Sequence, residues 1–361
     1  MKYALIGCGG IAIKHIQAAI DNNLELTAIC DIDPDNAKSL LAKCNIRNSD
    51  AVIRYTDYRK MLSENDIDII AIATGSGTHA EIALSCIDKG INTIIEKPIA
   101  LSIVDADKIM NLAEHKKVKV SVCHPNRFNL SAQKTRSAVK QGLFGRISHG
   151  TVHIRWNRNE DYYSKSLWRG KWSSDGGALM NQCIHGIDLL RWMMDDEIEE
   201  VYGVARQRHH DYIEAEDLGV AVVNFKNGSV ATVEGTVNVY PSNLEETLFL
   251  FGEKGTVKLN GKSMDTIDIW NFEDDNEVLV EKKGFDNDRI ITYGKGHTSI
   301  YADMIDAIKN DRVPYINANE GKKAVELVLA IYKSQKEGKP VKMPLKTFST
   351  VDMVSGQGKL F

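Results

Sequence analysis

Hydrophobic positions recur along the first third of the chain in two alternating periods. Residues 3–7 (Tyr-Ala-Leu-Ile-Gly) read as a strand, and residues 11–21 carry Ile13, Ile16 and Ile20 at helical spacing. A second strand pattern at 24–30 leads into a helix through "PDNAKSLLAKC". The alternation continues with the uninterrupted apolar run "IDIIAIAT" at 67–74, a helix at 78–89 and "INTIIEK" at 91–97. A helix at 103–115 and "KVKVSVC" at 117–123 complete it. Strands apolar enough to be buried on both faces, alternating with helices, predict an α/β domain with a parallel, doubly wound sheet.

The rhythm changes after residue 124. A helix at 130–141, the segment "ISHGTVHIRWN" and a glycine-punctuated helix at 175–194 precede a series of alternating segments. These are "GVAVVNF", "SVATVEGTVNV", "ETLFLFG", "GTVKL" and "IDIWNF", joined by turn-like "KNG", "GEKG" and "NGK". Hairpin-joined alternation predicts an α+β domain with a largely antiparallel open sheet. Two amphipathic helices, 296–310 and 319–337, follow. The chain thus divides into residues 1–123 and 124–361.

Composition narrows the function classes. The 361 residues are 43% apolar and 26% charged with a net charge of −4, enough for two full cores and unsuited to a general nucleic-acid or anionic-membrane partner. The six cysteines are scattered without a Cys-x-x-Cys or Cys/His cluster, so they read as small core residues of a reducing compartment, and no metal site is expected. "MKYALIGC" imitates a lipoprotein box, but its apolar run is too short and glycines follow at once; the expected location is cytoplasmic.

Three stretches carry candidate chemistry. "YALIGCGGIAIKH" fits G-x-G-x-x-G/A between a strand and a helix, with Gly7, Gly9, Gly10, Ile11 and Ala12 as the turn. Such a turn lets backbone approach a pyrophosphate at a helix N-terminus, the mark of a Rossmann domain. Asp31, about 20 residues on, suits a ribose 2′-hydroxyl, and with no Arg beside it NAD is expected rather than NADP. Thr74 and His79, in "ATGSGTHAE" after the fourth strand, fall where a second cofactor loop would lie.

Lys97, preceded by Glu96 and followed by Pro98, stands at the carboxyl end of a strand, the edge where open α/β sheets bind ligands. The residues alone leave two readings open: a reactive lysine, or a solvent-tipped one paired with Glu96. In "SSDGGALMNQCIHGIDLLRWMM", two glycines allow close approach of a ligand, and Asn181, His185, Asp188 and Trp192 form one helical stripe suited to a cleft. Singly, His185 can equally be a core histidine and Trp192 packing. "RWNRNEDYYSKSLWRGKW" and "HPNRFN" add arginines and aromatics, with Arg suited to two-point recognition of carboxylate or phosphate.

Together "GCGGIA", "EKP", the Trp168–Arg169 pair and "GGALMNQCIHGIDLL" resemble the glucose–fructose oxidoreductase/inositol dehydrogenase/MocA family over essentially the whole chain. Within it, "NRFNLSAQKTR", "NQCIH", "YPSNLEETLFLFGEKGTVKL" and "GHTSIYADMIDAI" are similar to bacterial UDP-N-acetyl-glucosaminuronate 3-dehydrogenases, which serve surface-polysaccharide sugar biosynthesis. The resemblance implies NAD-dependent oxidation of the sugar 3-hydroxyl, with Lys97 and His185 at the reacting carbon. It implies Glu96, Lys97, Trp168 and Arg169 near the cofactor. Where many relatives carry Asp, Asn181 can only orient, which leaves the base to Lys97 or His185. Arg127, Arg155 and Arg158, with Asn129, Tyr163 and Gln182, are candidates for the nucleotide-sugar substrate. 2-Oxoglutarate is a possible recycling oxidant, and a homodimer or homotetramer is expected. The competing functions are a dehydrogenase of a free sugar or polyol and a catalytically silent NAD(H)-binding sensor.

Overall fold

The structure, a computed structural model, describes residues 1–46, 49–273 and 296–354. The first sheet is built from β1 (Lys2–Ile6), β2 (Glu25–Cys30), β3 (Ile53–Tyr55), β4 (Ile69–Ile72), β5 (Asn92–Ile95) and β6 (Val120–Val122). Its order is β3-β2-β1-β4-β5-β6, every pairing parallel. The connecting helices are α1 (Ala12–Asp21), α2 (Pro34–Lys43), α3 (Tyr58–Glu64), α4 (His79–Asp88) and α5 (Ile103–Lys116). All four residues of β4 are buried, as are Thr93, Ile94 and Ile95 of β5, as the continuous apolar runs require. Strand order reverses between β1 and β4, so their carboxyl ends frame the crevice where such sheets bind ligands.

Helix α1 departs from the expected pattern. Ile13 and Ile20 are exposed, and the buried face runs through Ala12, His15, Ile16 and Ala19. The helix therefore turns an imidazole inward, against the sheet.

The second sheet holds β7 (Ile147–Arg155), β8 (Ile198–Arg206), β9 (Leu218–Phe225), β10 (Val230–Thr236), β11 (Glu245–Gly252), β12 (Gly255–Asn260), β13 (Thr266–Phe272) and β14 (Val341–Lys342). Among the described residues its order is β13-β12-β11-β7-β10-β9-β8-β14, antiparallel except for β7–β10. With it go α6 (Leu130–Lys140), α7 (Glu160–Ser164) and α8 (Ile184–Met194), the last entered through a π-helical turn at Leu179–Cys183. α8 lies on the sheet: a Cβ on Gly150 of β7 would stand 2.9 Å from Sδ of Met194 and 3.0 Å from Cδ1 of Leu190. Helices α9 (His297–Lys309) and α10 (Ala318–Glu337) follow.

A single cut between residues 123 and 124 does not describe the grouping. The first compact unit comprises Met1–Ala100, Val104–Pro125 and the described part of 291–322; the second comprises Leu101–Ile103 and the described parts of 126–290 and 323–361. The chain returns to the first unit because α9 has partners there. Asn22 donates to the Thr298 carbonyl (3.0 Å), and the Tyr3 and Tyr301 hydroxyls meet at 2.7 Å. The Val122 N–H donates to the Ile316 carbonyl (2.9 Å).

Among the described residues no helix is long and apolar enough to cross a membrane. None of the six cysteines is in a disulfide, and five of them are buried.

Candidate active site

In the first unit the turn after β1 is fixed by sterics. Gly7 has φ +94°, and a Cβ there would stand 2.5 Å from the Ala73 carbonyl oxygen at the end of β4. No L-residue with a side chain fits. At Gly9 and Gly10, by contrast, a Cβ would meet nothing within 4 Å, which leaves the backbone open to a ligand. Asp31, one residue past β2, accepts from the Cys8 N–H (2.7 Å) and the Asp33 N–H (2.9 Å). Its carboxylate is thereby oriented across the glycine turn. Ile32 beside it is 92% exposed. This bare apolar side chain beside the oriented carboxylate is not legible in "CDIDPDN" read for charge alone.

Two expected cofactor contacts face inward instead. His79 is buried, with Nδ1 2.7 Å from the Pro98 carbonyl and Nε2 3.1 Å from the Thr74 carbonyl. It ties the loop after β4 to the Lys97–Pro98 segment, and burial holds its pKa below the ordinary imidazole value. Glu96 is also buried, taking hydrogen bonds from His15 (3.2 Å), His297 (2.7 Å) and the Lys97 N–H (3.1 Å). Burial favours its neutral form, but the bonds from the two imidazoles more than offset this and hold the carboxyl well below its usual range. Lys97 itself is half-buried and precedes a cis peptide to Pro98.

The second unit collects a polar–aromatic cluster around Tyr162, one of the aromatics of "RWNRNEDYYSKSLWRGKW". The guanidinium of Arg169 lies 4.1 Å from the Tyr162 ring centroid and that of Arg158 lies 5.3 Å from it. Arg158 donates from Nε to Gln182 Oε1 (2.8 Å), and Gln182 donates to the Tyr162 hydroxyl (2.7 Å) and Asn181 Oδ1 (3.2 Å). Asn181 in turn donates to Asp175, which also accepts the Gly170 N–H (2.7 Å). Trp168 is half-buried beside Arg169, its ring 5.7 Å from the guanidinium. His185 follows on α8, half-buried.

Of the other candidates, Tyr163 packs on Tyr162 with ring centroids 5.1 Å apart, while Arg127, Arg155 and Asn129 are engaged by other partners. Arg127 is only 1% exposed and grips Asp188 through Nε (2.7 Å) and a terminal nitrogen (2.6 Å), with Trp192 under its guanidinium at 5.0 Å. Arg155 is closed on Glu234 and Glu245. Asn129 holds the Ser263 carbonyl (2.8 Å), and Tyr163 is buried against Tyr162 and Tyr212. The stripe Asn181–His185–Asp188–Trp192 is therefore not one cleft lining. The π turn resets the phase of the helix, and Asp188 and Trp192 fall in the core.

Both glycines are enclosed by protein: a Cβ on Gly176 would stand 2.8 Å from Cγ2 of Thr350, and Gly177 faces a carboxylate. A Cβ on Gly177 (φ +91°) would stand 1.5 Å from Oε2 of Glu216. Glu216 accepts the N–H groups of Ala178 (3.0 Å) and Leu179 (2.7 Å), so it caps the segment that carries Asn181 and Gln182. Burial pushes its pKa up to about 8. Hydrogen-bond arithmetic agrees. Tyr332 has one proton but stands 2.6 Å from the Gly176 carbonyl and 2.8 Å from Glu216 Oε1. A protonated Glu216 supplies the second.

A carboxyl pKa raised on folding contributes stability that is whole below the unfolded value of 4.5 and lost as pH rises through about 8. Stability should fall across that window by on the order of 4 kcal/mol from this group. Glu246, also raised to about 8 by burial, acts in the same direction. Urea melts from pH 5 to 9 should show Glu216→Gln flattening this slope by Glu216's share; an unchanged slope would mean that Glu216 is ionised in the folded state.

Glycine turn, oriented acidic residue and strand-end lysine fit a dinucleotide and define the class: an NAD-binding oxidoreductase. Residues 1–124 match the family described as "Oxidoreductase family, NAD-binding Rossmann fold", and residues 136–343 its "C-terminal alpha/beta domain". The chain belongs to the Gfo/Idh/MocA oxidoreductase family and is an NAD-dependent dehydrogenase of the sugar and polyol type. It is similar to the WlbA dehydrogenase of Bordetella pertussis, solved with NADH and UDP-GlcNAcA. That match has 32% identity, a TM-score of 0.84, and covers 96% of this chain and 99% of that one. The WlbA dehydrogenase of Chromobacterium violaceum, solved with the same two ligands, is 31% identical with a TM-score of 0.85, over 96% of both chains. Myo-inositol 2-dehydrogenase of Thermotoga maritima is 24% identical over 354 residues, 95% of this chain and 98% of that protein.

Proposed function

We propose that the chain oxidises the 3-hydroxyl of UDP-2-acetamido-2-deoxyglucuronate to the 3-keto sugar, in the making of surface polysaccharides. The observation that carries this is the likeness, above 30% identity along nearly the whole chain, to two dehydrogenases solved with NADH and UDP-GlcNAcA. It is supported by the pair of guanidiniums on Tyr162. A free polyol offers them no charge to meet, whereas a uronate or diphosphate does. Arg158 remains the substrate-anion candidate, while Arg127 and Arg155 are already engaged by carboxylates.

Gly7, Gly9, Gly10 and Ala12 would hold the cofactor's pyrophosphate and Asp31 its ribose, with Ile32 against the adenine. NAD, when bound, supplies the hydride acceptor. The chain's own part is proton handling and orientation. Lys97 takes the 3-hydroxyl proton as the carbinol hydrogen leaves with its electron pair, and His185 hydrogen-bonds the same oxygen; the roles can also be exchanged. Asn181 and Gln182, fixed by Asp175 and Arg158, orient the sugar.

A second copy of the chain would cover the open sheet face, where Tyr202, Val222, Thr232, Thr151 and Phe249 stand side by side across five strands. Tyr202 (46%) and Val222 (41%) are exposed there. A monomer mass by light scattering would exclude that assembly.

Purified protein with NAD+ and UDP-2-acetamido-2-deoxyglucuronate, with and without 2-oxoglutarate, should yield a nucleotide sugar two hydrogens lighter by mass spectrometry. Dependence on 2-oxoglutarate would mean the cofactor is recycled in place, and its absence would mean NADH leaves. No mass change, alongside turnover of myo-inositol, would replace this reading with the polyol one that the 24% identical relative favours. No turnover of either, with NAD bound, would favour the silent sensor.

A further inference from the structure

His15 on α1, Glu96 after β5, Cys123 after β6 and His297 at the start of α9 are all buried, and their ligating atoms lie within 4.8 Å of one another. Two imidazoles, a carboxylate and a thiol have the composition of a zinc site. The His297 distance argues for hydrogen bonds instead. Nε2 of His297 is 2.7 Å and Nε2 of His15 is 3.2 Å from the same oxygen, Oε1 of Glu96. Atoms sharing a tetrahedral zinc at ~2.0–2.1 Å stand about 3.4 Å apart, whereas 2.7 Å is the length of an N–H···O bond to a charged acceptor.

Read as hydrogen bonds, the tyrosines, imidazoles and carboxylate of the cluster form a chain that runs in one direction. Tyr3 donates to Tyr301 (2.7 Å), Tyr301 donates to His15 Nδ1 (2.8 Å), and His15 donates from Nε2 to Glu96. His297 donates to the same oxygen, and the Lys97 N–H donates to the other, Oε2, at 3.1 Å. Burial lowers the His15 pKa and raises those of Tyr3 and Tyr301, which keeps each of them neutral. The protons all point toward one carboxylate.

We infer that Glu96 is a positioning residue for Lys97, held by His15 and His297 so that it fixes the Lys97 peptide, and that α9 returns to the first unit to complete this support. The inference rests on the assignment of Lys97 to proton transfer. The titratable and charged groups facing the Glu96 carboxylate are His15 from α1, Cys123 from the end of β6, His297 and Tyr301 from α9, and Lys97 itself. His79 of α4 lies across the Lys97–Pro98 segment. Removing the carboxylate's charge disfavours the ammonium of Lys97, so the acid limb of the kcat profile moves to lower pH. Loosening the Lys97 peptide lowers kcat without changing the groups that hold NAD.

The test compares Glu96→Gln, His297→Ala, His297→Gln and Lys97→Met with wild type. Readouts are kcat against pH, NADH affinity by fluorescence quenching, metal content, and the downfield imidazole N–H resonances of the cofactor-free protein. Glu96→Gln should lose about 10- to 100-fold in kcat, shift the acid limb downward and bind NADH as wild type does. His297→Ala should lose activity and one downfield resonance, and His297→Gln, which keeps an N–H donor, should recover most of the activity. If Lys97→Met turns over normally, the assignment of Lys97 fails, whatever Glu96 does. If Lys97→Met is dead but Glu96→Gln keeps wild-type kcat and pH limb, the positioning role is overturned. Should Glu96→Gln not fold, equal loss in the two His297 variants overturns it instead. A stoichiometric metal ion in wild type would also overturn it.

Discussion

Replacing Lys97 with Met should lower kcat by about 10²- to 10⁴-fold, the range lost with a positioned general base, while NADH still binds. Methionine keeps the length and apolar stem of lysine but cannot take a proton. The peptide that carries the side chain is unaffected, because its N–H still reaches Glu96 (3.1 Å). Gly7, Gly9, Gly10 and Asp31 are equally untouched, so cofactor affinity measures whether the fold survived. The parallel variant His185→Ala separates the two proton-handling roles. If Lys97 is the base, His185→Ala should lose less than Lys97→Met and chiefly raise KM. If the order is reversed, His185 takes the proton and Lys97 hydrogen-bonds the oxygen. Near-normal turnover of both variants by initial-rate kinetics would remove the mechanism altogether.

What could be read ahead of the structure follows from range along the chain. The glycine turn is legible because its logic is local: strand, tight turn and helix lie within about twenty residues, and Gly7 has one steric purpose. Parallel β4 and β5 are legible because burial on both faces leaves no polar interruption. Arginine partners are not legible in this way. A sequence cannot distinguish a guanidinium awaiting a ligand from one already closed on a carboxylate. Asp188 lies 61 residues from Arg127, and Glu234 and Glu245 lie 79 and 90 from Arg155. The same limit applies to Glu96, whose partner His297 stands 201 residues away. The phase of the 175–194 helix failed for a different reason. A π turn at Leu179–Cys183 inserts extra chain into the helical count, so residues beyond it cannot be projected from residues before it. Glu216 is not legible because a Gly-Gly pair in sequence suggests room for a ligand, whereas Gly177 makes room for that side chain.

The Arg127–Asp188 pair should show its structural role in the second-largest effect. Arg127→Met leaves Asp188 charged and buried, with Arg191 at 3.5 Å as a remaining partner. Removing one member of a buried pair costs about 3–5 kcal/mol, because the other charge loses both water and partner. The double variant Arg127→Met/Asp188→Leu also removes the buried carboxylate and fills the space with apolar atoms, so much of that loss should return. Denaturant melts of the two single variants and the double give the coupling directly. Kinetics supply the second half of the argument. A guanidinium that bound the substrate's carboxylate or diphosphate would, once removed, raise KM in a protein of ordinary stability. A guanidinium committed to Asp188 should instead lower the unfolding midpoint and leave KM of the folded fraction near wild type, while Arg158→Met raises KM with little change in stability. A raised KM with an unchanged melt for Arg127→Met would return Arg127 to the substrate site.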